Sequence, residues 1–365
     1  MNGLIAPGTT KSAASNRWAG ARDALTNWWA GKGIALRITA PKDDRIVAFD
    51  DPGPAPSVEA RWIDPVWRTR TAQYQVANTF YGGAAIPMFR SDIGPGSLGL
   101  FLGCGGHLAP DTVWYDAVID DPDKPYPMTV DFAGEWWQRH VALLNAGTQG
   151  SGGNYLVGFP DLIENIDVLA QMRDPQTTLM DLVERPEWVC ERVWEINAAY
   201  FAAYDGLLNE CGLLDEWGGT TYDCFGIWGI GRTAKVQCDF CCMISPAMFR
   251  RFVAPALAEQ CKWLTNSLYH LDGEQAIPQV DNLLAIDALN AIQWTPGAGR
   301  PGGGSPLWYD LYRRIKAGGK SVQAVGVAVD EVEPLIDAVG ADGLMIVANA
   351  PNESDARSLL ARLGL

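Results

Sequence analysis

The sequence predicts an α/β protein, a single (β/α)8 TIM barrel over residues 1–365 with an N-terminal helical extension and long βα insertions. Three observations support this prediction. At 365 residues, one α/β barrel is as admissible as two smaller domains. Strand-like segments recur roughly every 25 to 30 residues with helical segments between them, which is typical of a parallel sheet. A doubly wound open sheet also fits this pattern, but about eight strand candidates favour the barrel.

The N-terminal half contains the helical lead-in, three strand candidates and both insertions. Residues 1–30 form the lead-in, which contains Trp18, Trp28 and Trp29. Apolar and β-branched residues then predict strands at 35–40, 85–90 and 154–159. Residues 221–225 are ambiguous between a strand and a loop. The insertions, at about 41–80 and 93–152, are of a kind that commonly builds pockets.

The C-terminal half is more regular. Strands are predicted at 234–238, 267–271, 291–295, 321–326 and 343–348. The first helix among them, residues 245–264, begins at Ser245-Pro246, where serine is the N-cap and proline takes the first helical position. Further helices are predicted near 275–285, 307–317, 331–339 and 353–363.

The charge balance disfavours several classes of partner. The chain has 43 acidic and 28 basic residues and a net charge of −15, whereas a nucleic-acid-binding protein needs a basic face. No apolar run is long enough to cross a membrane, and the N-terminus lacks the pattern of a secretory signal. We therefore expect a cytoplasmic protein that binds neither nucleic acid nor a membrane.

Polar side chains follow several of the predicted strands. In a barrel, chemistry takes place at the C-terminal ends of the strands. This sequence places there Asp92, Asp239, His270, Asp272, Trp294 and Asn349. His270 and Asp272 are the sharpest pair, because an acid two residues after a histidine can orient the imidazole or share a metal with it. The alternative is a satisfied histidine, with Asp272 capping the next helix.

Other motifs are weaker. Residues 297–302 match G-x-G-x-x-G, but no acid follows about twenty residues later, so a lid or an anion-holding helix start at Ser305 is favoured over a dinucleotide site. Cys238, Cys241 and Cys242 cluster without a second pair at zinc-module spacing, which favours buried thiols over metal ligands. Fifteen tryptophans would suit an aromatic-walled pocket. The candidate substrate-binding residues are Trp294, Arg90, Tyr269, Trp228 and Gln293.

Four segments carry motifs of one enzyme family. They are residues 90–99 (RSDIGPGSLG), 236–246 (VQCDFCCMISP), 181–187 (DLVERPE) and 269–273 (YHLDG). In that order they resemble the F-S-D-I-L…A-L-G, F-D-S…L-S-P and D-L…P-E segments of the uroporphyrinogen decarboxylase family and the H-x-C-G segment of its cobalamin-dependent methyltransferase branch. The resemblance covers about residues 30–365. It implies a (β/α)8 barrel and a catalytic role for Asp92.

The sequence also departs from that family. The nearest stretch to the decarboxylase's arginine motif M-R-Q-A-G-R-Y is residues 68–74 (RTRTAQY), and no histidine follows His270. The methyltransferase branch holds zinc with H-x-C and a distant cysteine, whereas Asp272 replaces the first cysteine here and no cysteine follows Cys261. His270 and Asp272 would then hold a divalent metal such as zinc without thiolates.

Three functions follow. The first is a uroporphyrinogen-decarboxylase-like enzyme acting on a small, non-porphyrin substrate by decarboxylase or lyase chemistry, with Asp92 and Asp239 stabilising charge and His270–Asp272 as the acid/base pair. The second is a methyltransferase that works with a corrinoid protein and uses His270 and Asp272 as metal ligands. The third is a non-catalytic ligand-binding barrel. The acidic strand ends disfavour a polyanionic porphyrinogen, and a homodimer is a further expectation.

Overall fold

The computed structural model describes residues 17–44 and 49–365, so residues 1–16 of the predicted lead-in lie outside the described residues. Fourteen α-helices, α1 to α14, occur in this part of the chain. They span Ala19–Trp29, Val58–Ile63, Pro65–Asn78, Ser97–Phe101, Glu135–Gly150, Asn165–Arg173, Pro175–Glu184, Pro186–Glu210, Pro246–Phe252, Ala254–Trp263, Val280–Leu284, Tyr309–Ala317, Val332–Val339 and Glu353–Leu363.

Thirteen strands, β1 to β13, accompany the helices in the same part of the chain. They span Ile34–Pro41, Thr79–Gly83, Met88–Phe89, Gly106–Leu108, Val113–Tyr115, Leu156–Val157, Gly219–Tyr222, Ile227–Ile230, Thr233–Gln237, Asn266–Asp272, Ala291–Thr295, Ser321–Val327 and Leu344–Asn349. Short 3-10 turns follow several strands, at Asp223–Phe225, Asp239–Met243, Glu274–Gln279, Pro306–Trp308 and Val329–Glu331.

Local sequence accounts for the helix boundaries. The Ser245 hydroxyl accepts a hydrogen bond from the Met248 backbone N–H at 3.2 Å, as its predicted N-cap role requires. The single helix predicted over 245–264 is instead two helices, α9 and α10, divided at Val253. Pro255 has no N–H to donate and its ring crowds the preceding turn, which explains the division. The helix predicted near 275–285 likewise begins as a 3-10 turn that contains Pro278.

The central sheet has seven strands in the order β2-β1-β13-β12-β11-β10-β9, all parallel to their neighbours except β2. All eight strands predicted from the sequence are present. β3 and β6 form a separate parallel pair, while β4 with β5 and β7 with β8 form antiparallel pairs. The last strand, β13, pairs with the first long strand, β1, with Ile34 beside Leu344. The molecule is thus an α/β protein with a mostly parallel sheet.

The predicted closed barrel is not confirmed, because the hydrogen-bonded sheet has two edges. In the described residues, no ladder joins the seven-stranded sheet to the β3–β6 pair. The physical reason at one edge is β2, which pairs antiparallel with β1 and takes the backbone groups that β3 would need. At the other edge, β7 and β8 lie beside β9, and the Thr220 hydroxyl accepts from the Thr233 backbone N–H at 2.8 Å.

The two faces of the central sheet differ in chemistry because successive side chains on a strand point to opposite sides. One face is polar and includes Arg37, Lys235, Gln237, His270, Gln293 and Gln323. The register places His270 directly between Gln237 of β9 and Gln293 of β11. The opposite face is apolar and packs against helices. The polar face and the strand ends above it form the candidate site.

Candidate active site

Three predicted residues come together at the carboxyl ends of β9 and β10. Asp239 begins the turn after β9, while His270 and Asp272 lie two residues apart on one face of β10. One potential ligand atom from each residue lies within 4.8 Å of the other two. His270 Nε2 is 4.0 Å from Asp239 Oδ1. A nitrogen and carboxylate oxygens at this spacing can share a divalent cation or a proton.

The His270 ring is held in one orientation. Its Nδ1 is hydrogen-bonded to Gln293 Oε1, and Gln293 Nε2 donates to Thr295 Oγ1 at 2.8 Å, which fixes the amide. The Phe225 ring packs on the imidazole with centroids 4.8 Å apart. Burial and then Lys235 lower the pKa of His270, which favours the neutral ring. Nε2 therefore keeps its lone pair on the side of Asp239, as a metal ligand or base requires.

A buried carboxylate below the site holds Asp239 in place. Asp167 accepts hydrogen bonds from the backbone N–H groups of Asp239 and Phe240, both at 2.8 Å. Gln237 Nε2 donates to Asp167 Oδ2 and Asp239 Oδ2, both at 3.0 Å. Burial raises the pKa of Asp239 to about 6, with Lys235 opposing and Asp272 adding to the shift. The carboxyl of Asp239 therefore takes up a proton at a higher pH than an ordinary aspartate does.

Asp161, Glu164 and Asp167 were missed by sequence reasoning, although all three are buried beside the site. Asp161 and Glu164 lie in the turn after β6, and Asp167 follows three residues later in the first turn of α6. Acids at the end of the predicted 154–159 strand were the available signal. Ile163 and Asn165 have φ of 43° and 48°, the left-handed region that a β-branched residue avoids. Such strain is typical of functional sites.

A buried lysine connects the turn to the sheet. Lys235 is fully buried, with its Nζ 2.6 Å from Asp161 Oδ1 and hydrogen-bonded to Gln237 Oε1. Burial lowers its pKa, but Asp161, Cys224 and Glu164 more than offset this, so Lys235 stays charged. Burial raises the pKa of Glu164 well above its usual range, and its Oε2 has no hydrogen-bond partner.

Asp92 belongs to the same hydrogen-bond network as Asp161, but its side chain lines a different cleft. Its Oδ1 accepts from the Asp161 backbone N–H at 2.7 Å, and its Oδ2 lies 3.5 Å from Arg90 Nη2. Arg90 Nε in turn lies 3.4 Å from Asp223 Oδ2, and burial followed by Asp92 raises the pKa of Asp223 to about 7. The cleft beside Asp92 has a volume of about 390 Å³ and contains Arg61, Trp62, Trp67, Arg68 and Arg90. Asp92 and Asp239 are therefore connected by hydrogen bonds without sharing one of these clefts.

The Asp92 cleft contains Arg68, the first residue of the segment that matches the family's arginine motif poorly. Arg68 donates to the backbone carbonyls of Trp62, Arg90 and Asp92 at 2.8, 2.6 and 3.2 Å. Basic side chains therefore lie on this side of the site, although the predicted strand ends are acidic. The Arg68 guanidinium nevertheless binds mainly backbone oxygens. Arg90 already forms ion pairs with Asp92 and Asp223.

Four of the candidate substrate-binding residues do not line the cleft beside Asp92. Trp294 is fully buried on the apolar face, 5.1 Å from the Trp308 ring, because it alternates with Gln293 along β11. Tyr269 is buried on that same face of β10, and Trp228 donates its indole N–H to Asp215. Gln293 contacts His270 rather than an open cavity. Arg90 does line a cleft, the one beside Asp92.

Comparison with known proteins supports the fold. No family model and no curated protein matches this sequence. Among solved structures, the chain is similar to a methyltransferase from Methanosarcina mazei, with a TM-score of 0.61 and 10% sequence identity over 94% of this chain and 97% of that chain. None of the helices in the described residues is long and apolar enough to cross a membrane. At this identity the likeness shows a shared fold, one compatible with the predicted barrel.

Proposed function

We propose that this chain is a divalent-metal-dependent enzyme of the methyltransferase kind, with Asp239, His270 and Asp272 as metal ligands. The convergence of these three residues, with ligand atoms within 4.8 Å of one another, carries the proposal. The fold likeness to a methyltransferase over 94% of the chain supports it. The second of the three functions predicted from the sequence is thus favoured, with Asp239 added to the two ligands expected.

The donor set fits a divalent cation without thiolates. One imidazole nitrogen with carboxylate oxygens suits zinc or manganese. A metal bound there would lower the pKa of a coordinated nucleophile. The protein's own part is positional: Gln293 keeps His270 Nε2 free, and Asp167 and Gln237 hold Asp239. These outer contacts are the kind that orient metal ligands in known sites.

Two finer expectations belong to the same proposal. A complete barrel within one domain is supported by the pairing of β13 with β1 and by the compatible fold of the M. mazei enzyme. A corrinoid protein would be the partner if the methyl group is passed through a corrinoid. The decarboxylase hypothesis has less support, because Asp92 is engaged by the Asp161 backbone and Arg90.

Metal titration of the purified, chelator-treated protein tests the proposal. We expect one Zn²⁺ or Mn²⁺ per chain with a Kd below about 10 µM, which corresponds to roughly 7 kcal/mol. Asp272→Asn should weaken binding at least tenfold. Asp310→Asn, which changes an exposed carboxylate on α12, is the matched control and should bind like the parent protein. Weak or unsaturable binding, or equal loss in both variants, would contradict the metal assignment.

A further inference from the structure

We infer that a second site lies beside the metal ligands and binds an organic ammonium ion. The site is a cleft of about 730 Å³, here called the acidic cleft, between the β4–β5 hairpin and the turn that begins at Asp239. Its walls include Trp114, Tyr115, Asp167, Asp174, Asp239 and Met243. This volume is within the range of small-molecule pockets, roughly 300 to 1,000 Å³.

The walls of the acidic cleft are unusually apolar for an exposed surface. The Trp114 residue is 65% exposed and Met243 48% exposed, although both are large apolar side chains. Tyr115 is held in place by the hydrogen bond from its hydroxyl to the Pro95 carbonyl. An indole and a flexible thioether in the wall of one cleft offer adaptable contact surface to a ligand with apolar groups.

The charge of the acidic cleft has one sign. Asp116, Asp167, Asp174 and Asp239 are among the described residues that line it, and no lysine, arginine or histidine is among them. Asp116 is paired with His107 outside the wall, at 2.8 Å. The backbone N–H groups of Thr177 and Gln176 lower the pKa of Asp174, so this carboxylate stays charged. Electrostatic complementarity therefore calls for a cation.

The polar groups and the aromatic wall together select an organic cation rather than a bare metal ion. An indole face attracts ammonium groups by cation–π interaction, and tryptophan is the strongest partner. The positive charge of a methylated ammonium compound would attract the carboxylates, and its methyl groups would pack against the indole face of Trp114.

This inference deepens the proposed function by naming a ligand class, and it rests on that function only through Asp239, which both sites share. In a methyltransferase, such a cation would lie next to the metal ligands. Binding itself needs no metal. The test is therefore made on chelator-treated protein, so that failure of one proposal can be told from failure of the other.

The experiment is calorimetric titration with choline and with its neutral isostere 3,3-dimethylbutan-1-ol. We expect choline to bind at least about tenfold more tightly, and Trp114→Ala to weaken choline binding about fivefold or more. Trp194→Ala is the matched control, because Trp194 is a 45% exposed tryptophan on α8 that does not line the acidic cleft.

Either of two results would overturn the inference: equal affinity for choline and the neutral alcohol, or the same effect from Trp114→Ala and Trp194→Ala. Selective choline binding without any metal binding would support the ammonium site and overturn the metal assignment. Metal binding without choline selectivity would support the metal assignment and overturn the ammonium site.

Discussion

The histidine of the candidate site depends on one amide for its orientation. Gln293 accepts a hydrogen bond from His270 Nδ1 and is itself fixed by Thr295, so the imidazole presents Nε2 to the two carboxylates. Gln293 is fully buried and does not reach a ligand cavity. Its role is therefore that of a positioning residue.

Gln293→Leu should weaken metal binding roughly 10- to 100-fold, the usual cost of removing a group that orients a ligand. Gln293→Glu restores an acceptor for Nδ1–H and should recover most of the affinity. Metal titration of the three proteins at one pH checks this. Loss of affinity in both variants would assign Gln293 a purely structural role.

The pH dependence of metal binding follows from Asp239. Its pKa is raised to about 6, so below that pH a proton must leave before a metal can bind. We expect the affinity to fall about tenfold per pH unit below 6 and to flatten above it. Titrations between pH 5 and 7.5 measure this, and a flat profile would contradict it. The stability of the metal-free protein has the opposite pH dependence. Because the pKa of Asp239 is raised in the folded state, its contribution to the free energy of unfolding is lost as the pH rises through 6.

The buried ion pair of Lys235 and Asp161 should be costly to break from one side. Lys235→Met removes the cation that faces Asp161 while leaving Glu164 next to an apolar group. We expect a loss of about 3 to 5 kcal/mol in the free energy of unfolding, as for other uncompensated buried charges. The double variant Lys235→Met, Asp161→Asn should recover part of that loss. Urea denaturation measures both, and additive effects would show that the two residues do not interact.

At the scale of elements, β2 decides how the sheet ends. It runs antiparallel to β1 and ends at Gly83, whose φ is 59° and where an added Cβ would lie 2.2 Å from the Leu36 carbonyl oxygen. This glycine is needed both for its backbone conformation and for the close approach of the two strands. The strand pair in turn covers the β1 edge that a closed barrel would use.

Gly83→Ala should therefore destabilise the protein by more than about 2 kcal/mol, because the new methyl group meets backbone that cannot move freely. Gly20→Ala is the matched control: Gly20 lies in α1, has open space around it, and should gain about 0.5 to 1 kcal/mol from lower chain entropy. Thermal unfolding of both variants tests the difference. Tolerance of Gly83→Ala would show that the end of β2 can shift away from β1.

At the scale of the whole molecule, the charged residues behind the net charge of −15 are unevenly distributed around the candidate site. The acidic cleft and the metal ligands concentrate carboxylates around Asp239, whereas the cleft beside Asp92 holds three arginines. The buried chain from Asp92 through Asp161, Lys235 and Gln237 to Asp239 links the two regions. Average charge thus predicted the character of one side of the site only.

The sequence by itself determined six of the seven strands of the central sheet, the short strands β3 and β6, the N-cap at Ser245 and the placement of Asp92, Asp239, His270 and Asp272 at strand ends. These features depend on local patterns: apolar runs, capping residues and the polar positions that follow a strand. His270 and Asp272 could be paired because a two-residue spacing on a strand fixes a common face.

Only the tertiary structure decided which side chains meet. Trp294 faces the helices because its neighbour Gln293 takes the polar face, and no sequence pattern distinguished the two faces of a strand buried on both sides. Because β2 pairs with β1, the hydrogen-bonded sheet ends at β2 and does not close into the predicted barrel. Asp161 and Glu164 reach the site on a strained turn, and Asp167 reaches it on the first turn of α6. Hydrogen bonds to β9, far away in sequence, hold this segment in place. Such contacts follow from the packing of whole elements and not from the residues next to them.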